Sequence, residues 1–148
     1  MGFVFDKKPT IEIDGRLYEC DPTDINLIEG VSQNYPKILA LGIEFEEMKK
    51  QLLDTRKNAK EIQANNEAFV QKNKDLLVEC QSFIHGTLGV EEYNEIFANR
   101  KPNSVEHLKL CVYIFNEIMK DRAKFVEEYI ELPEVAKGEN DAVNSSAE

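Results

Sequence analysis

The chain has 148 residues, 42% of them hydrophobic and 31% charged, and its 28 Asp and Glu against 18 Lys and Arg give a formal net charge of -10. That length and apolar content allow one domain to bury a core without disulfides or a structural metal, which excludes a wholly disordered chain. The acidic balance opposes a phosphate backbone and an anionic membrane surface, so neither nucleic acid nor membrane is expected as a partner.

The three cysteines, Cys20, Cys80 and Cys111, are odd in number and far apart, with no CxxC spacing, which predicts a reducing compartment. The start, MGFVFDKKPTIEIDG, is apolar only from Phe3 to Phe5 and lacks the apolar stretch of a signal peptide. Asp6 stands where a myristoylation start wants Ser or Thr, and no run approaches membrane-spanning length. A cytoplasmic protein is expected.

Taken in chain order, Thr10-Ile11-Glu12-Ile13 and Leu17-Tyr18-Glu19-Cys20 flank Asp14-Gly15, a strong hairpin signal. A lone hairpin is marginal in water, so one face, with Ile11, Ile13, Leu17 and Tyr18 in part, is expected to lie on helices. Asp21-Pro22-Thr23-Asp24 reads as a helix start, with Asp21 or Thr23 as cap, and a first helix runs to about Asn34. Pro36 and Gly42 then predict a bend or a short separate turn over Tyr35 to Leu41.

From Ile43 to Ile84 there is neither Pro nor Gly, and Phe45, Met48, Leu52, Ala59, Ile62, Phe69, Leu76, Cys80 and Phe83 recur at heptad intervals, with Thr55, Asn66 and Asn73 filling the gaps. The stretch is either one helix of roughly 60 Å or two antiparallel helices. A break near Ala64-Asn65-Asn66-Glu67 is the favoured reading, because Asn is a poor helix former and a good cap. Gly86-Thr87-Leu88-Gly89 ends the stretch, with Gly86 placed as a left-handed cap. Val90 to Phe97 reads as a short helix closed by Asn99 to Asn103. Ser104 is the expected cap of a last helix whose stripe includes Val105, Leu108, Val112, Phe115, Ile118, Met119, Val126 and Tyr129, stopped by Pro133. The fold class is therefore mainly α (α+β): an N-terminal hairpin followed by a multi-helix bundle over residues 1–132. An acidic, disordered tail is expected over residues 133–148.

Little in this pattern points to chemistry. His85 and His107 are not at metal-ligand spacing; His85 is expected to close a helix C-terminus and His107 to be surface or half-buried. Cys80 and Cys111 fall within apolar stripes, where a free cysteine acts as a small hydrophobe more often than as a nucleophile. Adjacent carboxylates such as Glu46-Glu47, Glu91-Glu92 and Glu127-Glu128 point apart on a helix and read as solvated faces. No phosphate-binding glycine loop occurs, and the GxxG at Gly86 lacks basic flanks and reads as a helix–helix turn. No enzyme activity, cofactor or metal is expected. Surplus aromatic residues nominate Tyr93, Phe97, Tyr113 and Tyr129 as partner contacts, with core packing as the alternative for each. The heptad stretch could also supply a seam for a homo-oligomer.

The ribbon IEIDGRLYE and the stretch ECQSFIHGTLGVEEYNEIF, followed by a Pro/Asn break and a last helix, resemble the small tail assembly chaperones of long-tailed bacteriophages and prophages of Gram-positive bacteria. The resemblance covers most of residues 10 to 120. In that family the second stretch commonly reads as a Cys-containing helix, an "lGeg" turn and a short helix ending in "kIFg". Gly89 keeps the first glycine here, whereas Val90-Glu91 and Ala98 depart from the pattern. The resemblance implies a protein that binds the tape-measure or tail tube protein during assembly and is absent from the finished particle. It also implies that relatives can carry a frameshifted C-terminal extension, which would attach beyond Glu134. The competing expectation is a phage or prophage regulatory adaptor that contacts a basic host or phage protein.

Overall fold

In the computed structural model, residues 2–5, 7–53 and 58–120 are described. Strands β1 (Thr10–Ile13) and β2 (Arg16–Glu19) form an antiparallel hairpin in which Ile11 pairs with Tyr18 and Ile13 with Arg16. Asp14 and Gly15 both take positive φ, 51° and 80°, the geometry that an Asp-Gly hairpin turn requires. That register puts Ile11, Ile13, Tyr18 and Cys20 on the covered face. Leu17, expected there, sits opposite Glu12 and is 70% exposed, because side chains alternate strictly along a strand. Tyr113 Oη donates to Glu12 O at 2.6 Å, and Arg16 pairs with Glu95, so the hairpin is tied to the last two helices.

Helix α1 (Ile25–Glu29) is capped by Asp24, whose side chain accepts from Asn26 N, rather than by Asp21 or Thr23. Asp21 instead accepts from the Thr23 amide and hydroxyl and pairs with Lys8. The interruption predicted at Pro36 and Gly42 does not occur. One wide π-turn, Gly30–Asn34, leads straight into α2 (Tyr35–Leu52), with the Tyr35 N–H reaching Gly30 O. Pro36 lacks an N–H and crowds the carbonyl four residues back, and the wide turn just before it absorbs both faults. Gly42 lies inside α2, where a Cβ would make only ordinary contact with Leu108, at 3.8 Å.

The long heptad stretch does divide in two, but earlier than expected. Helix α2 ends at Leu52, and α3 (Ala59–Thr87) starts on Asn58, whose side chain accepts from Glu61 N at 2.9 Å. Asn65 and Asn66 lie within α3. An interior Asn costs a helix only about 0.7 kcal/mol relative to Ala, less than burial of one aromatic ring returns. Phe69 of α3, three residues past Asn66, packs on Phe45 of α2 with ring centroids 4.8 Å apart. Asn34 donates to Glu79 and Lys72 pairs with Glu44, so α2 and α3 run antiparallel.

Gly86 is not the left-handed cap. It stays helical where a Cβ would come 3.0 Å from Asn26 O of α1, so its small size permits a close approach. Gly89 makes the turn, at φ 113° and ψ 156°. Helix α4 (Val90–Ile96) follows, and Asn103 caps α5 (Ser104–Lys120) by accepting from Val105 N and Glu106 N. Ser104, the expected cap, instead points its hydroxyl at Asn73 Oδ1. Cys111 Sγ lies 3.6 Å from Cys80 O, so α5 runs parallel to α3, with Ser104 beside Asn73 and Cys111 beside Cys80. Helices α2, α3 and α5 enclose a core that includes Ile38, Leu76, Cys80, Phe83, Ile84, Cys111 and Ile114. Among the described residues no helix is long and apolar enough to cross a membrane. Val126, Tyr129 and the expected tail over 133–148 lie outside the described residues.

The two glycines predict opposite outcomes in urea unfolding. Gly89→Ala should destabilise by about 2 kcal/mol, because an L-residue is strained at that φ. Gly42→Ala should stabilise by about 0.5–1 kcal/mol, because the helix is relieved of glycine's entropy and the site has room.

Candidate partner-binding surfaces

Helix α4 brings two of the nominated residues together. Tyr93 of α4 and Phe97, the residue just past its end, have their rings 4.8 Å apart, and both meet His107 of α5. The His107 ring stacks on Phe97 at 3.9 Å and 9° and is only 2% exposed, so it is buried rather than surface or half-buried as its sequence context suggested. His107 Nδ1 lies 2.7 Å from Asn103 O. A carbonyl can only accept, so Nδ1 carries the proton and Nε2 is the bare nitrogen of a neutral ring. The Tyr93 hydroxyl, 2.7 Å from Nε2, then donates to it, and Gln81 Nε2 donates to the Tyr93 oxygen at 2.9 Å. This relay joins α3, α4 and α5 and satisfies the buried imidazole. Burial holds the His107 pKa below its usual value, against smaller opposing effects of the Asn103 hydrogen bond and Glu106. His85, in the last turn of α3 as expected, meets the Tyr93 ring edge-on at 4.6 Å.

Tyr113 lies apart from that cluster. It is half-buried, and its hydroxyl is engaged by the β1 backbone. Desolvation first, then the nearby Glu117 and Glu12 carboxylates, raise its pKa. Tyr129 lies outside the described residues. The three nominated aromatics that are described thus make internal contacts that hold the hairpin and α4 to the bundle.

The cysteines sit as small core hydrophobes. All three carry free thiols and are buried. Burial, with a contribution from Asp21, pushes the Cys20 thiol up to about 12. Cys111, enclosed between α3 and α5 against Cys80, is raised further by the same cause. A thiol so held stays protonated at neutral pH.

Exposed apolar surface lies elsewhere, at the end of the bundle that α5 does not reach. Helix α5 begins beside Asn73, so α3 from Ala59 to Lys72, about 21 Å at 1.5 Å per residue, has no third helix along it among the described residues. One open face of that segment carries Ile62, Asn66 and Val70, and the described residues that line it all belong to α3. A groove of about 290 Å³ continues from Val70 past Leu77 to Pro102 and Ser104 at the foot of α5. Ile62 and Val70 are 42% and 51% exposed. Val70 falls outside the heptad series, and that was the available signal: an apolar residue off the seam of a long helix has no place in its own hairpin.

In comparisons with known proteins, the chain matches no family model, no curated protein and no solved structure.

Two outcomes test the site chemistry. His107 has a folded-state pKa below its unfolded one, so its contribution to stability is present above about pH 6.5 and lost as pH falls below that value. Urea midpoints at pH 7.5 and 5.5 should show this loss, and His107→Gln should remove that share of it. The native protein should also resist a thiol reagent, with all three cysteines reacting once it is denatured.

Proposed function

We propose that the chain is a non-enzymatic tail assembly chaperone of a long-tailed bacteriophage or prophage, acting in the host cytoplasm and transiently holding the tape-measure or tail tube protein. The observation that carries this reading is the open end of the bundle, where the first half of α3 presents Ile62 and Val70 on a face that no described helix covers. An amphipathic helix from a partner would complete there the three-helix packing that α5 completes at the other end. The residue resemblance over the hairpin and the α3–α4 stretch supplies the identity of the partner. A net charge of -10 suits the task as well, because it keeps a complex with an aggregation-prone helical client soluble.

Co-expression of the tagged chain with the neighbouring tail tube and tape-measure genes, followed by size-exclusion chromatography, tests the reading. Co-elution that keeps either client out of the aggregate supports it. Failure with both clients by a folded protein moves the assignment to a regulatory adaptor. Ile62→Glu/Val70→Glu should abolish co-elution without shifting the thermal melt, since both side chains are exposed in the isolated chain.

A further inference from the structure

Among the described residues the hairpin is a sheet of two strands, so each strand has an edge that the other does not use. Cys20 N donates to Pro9 O at 2.9 Å, which sets the phase of the ladder: bonded pairs alternate from there through Ile11–Tyr18 to Ile13–Arg16. The residues between them, Thr10 and Glu12 on β1 and Leu17 and Glu19 on β2, turn their backbone N–H and C=O groups away from the opposite strand. Tyr113 of α5 takes up the β1 edge by donating to Glu12 O. No described residue hydrogen-bonds to the outward backbone groups of Leu17 and Glu19 on the β2 edge. An extended segment satisfies an edge of this kind, because another strand presents donors and acceptors at the same spacing.

The side chains around that edge define the strand that fits it. The face of the hairpin turned away from the helices carries Thr10, Glu12, Leu17 and Glu19. Leu17 is 70% exposed, with Glu12 across from it and Glu19 two residues along. Neither carboxylate has a cation partner among the described residues. Lys7 and Lys8 precede the paired residues, and Lys8 is held by Asp21. On the opposite face, a cleft of about 710 Å³ separates Ile13, Arg16 and Tyr18 from Ile96, Asn99 and Arg100, and Arg16 is already paired there with Glu95. Side chains alternate on an added strand as well, so one set lies beside Glu12, Leu17 and Glu19 and the other turns to the side of the cleft.

We propose that β2 accepts a third strand from a basic, extended segment of a partner protein, with Lys or Arg set against Glu12 and Glu19 and apolar residues on the side of the cleft. A second copy of the hairpin does not suit this edge: pairing two β2 strands gathers the Glu12 and Glu19 carboxylates of both copies on one face with no cation among them. The chain's own ends do not suit it either. The leading segment has no cation before Lys7, and the residues beyond Lys120 are predominantly acidic. With only four residues in β2 the contact is short and reversible. It uses neither Ile62 nor Val70 and is independent of the client surface proposed above.

Fluorescence anisotropy tests the proposal, with a labelled peptide of alternating lysine and valine titrated by the full chain at low ionic strength. A peptide of the same composition, with lysines and valines in separate blocks, controls for charge alone. The alternating peptide should bind at least about tenfold more tightly than the block peptide. Leu17→Pro should weaken that binding about tenfold, because it deletes an edge donor and no bond to β1, whereas Leu17→Thr keeps the donor and should keep the binding. Glu12→Lys/Glu19→Lys should also weaken it about tenfold, with an unchanged thermal melt because both side chains are exposed, and so provides a test that does not depend on how the proline variant folds. Absence of binding by the alternating peptide, equal binding of the two peptides, or undiminished binding by Leu17→Pro or by Glu12→Lys/Glu19→Lys would each overturn it.

Discussion

Leu76, Cys80, Phe83 and Ile84 form a stripe of α3 with no measurable exposure, and the other helices are organised by what they place on it. Tyr35 of α2 tilts onto Phe83 at 5.4 Å and stacks on Phe115 of α5 at 3.9 Å, so one ring joins three helices. Gly30 brings the π-turn against Phe83, where a Cβ would lie 3.5 Å from the ring. Cys111 brings α5 alongside Cys80, and the small size of both residues lets the two helices run close and parallel. Each fully buried large side chain contributes about 1.5–3 kcal/mol, so this stripe outweighs the local faults around it, including Pro36 and the interior asparagines.

Parallel packing of α3 and α5 has a topological cost that α4 meets. The chain leaves α3 at Thr87 and must return to Asn73 before α5 can begin. Helix α4 and the segment after it make that return, and the Gln81–Tyr93–His107 relay fixes α4 against both long helices. A neutral imidazole suits this place because it accepts from one element and donates to another while its ring stacks on Phe97. Two of the aromatic residues that looked available for a partner, Tyr93 and Phe97, instead close this joint.

The return is incomplete, and that divides the molecule in character. One end, around Phe83, Tyr35 and Cys111, is closed by three helices and by α1. Among the described residues the other end is a two-helix hairpin, held by Phe45 against Phe69 and by the Glu44–Lys72 ion pair, with apolar side chains left over on α3. A two-helix hairpin cannot enclose every apolar residue its helices carry, because each helix turns its whole circumference toward something and a single neighbour covers only one side of it. Val70 is the plainest case: it neighbours Phe69 in sequence, yet the turn of the helix takes it off the seam that Phe69 enters.

The sequence by itself determined the elements whose signals are local. Asp14-Gly15 specified the hairpin turn, the apolar period specified α5 and the long helical stretch that α2 and α3 divide, and Pro and Gly near residues 86–103 marked the return, because each signal depends on a few neighbouring residues and on backbone sterics. Only the tertiary structure decided which of several equivalent local options was used. Asn58 rather than Asn65 or Asn66 became the cap, since helix from Ala59 onward places Phe69 on Phe45 and Lys72 on Glu44. Gly86 became a contact and Gly89 the turn, since α1 needed the room beside Gly86. Tyr93, Phe97 and His107 became a joint, and Ile62 and Val70 the exposed surface, because whether an apolar side chain is core or contact depends on where the neighbouring helix stops, and no residue in the sequence records where along α3 its partner begins.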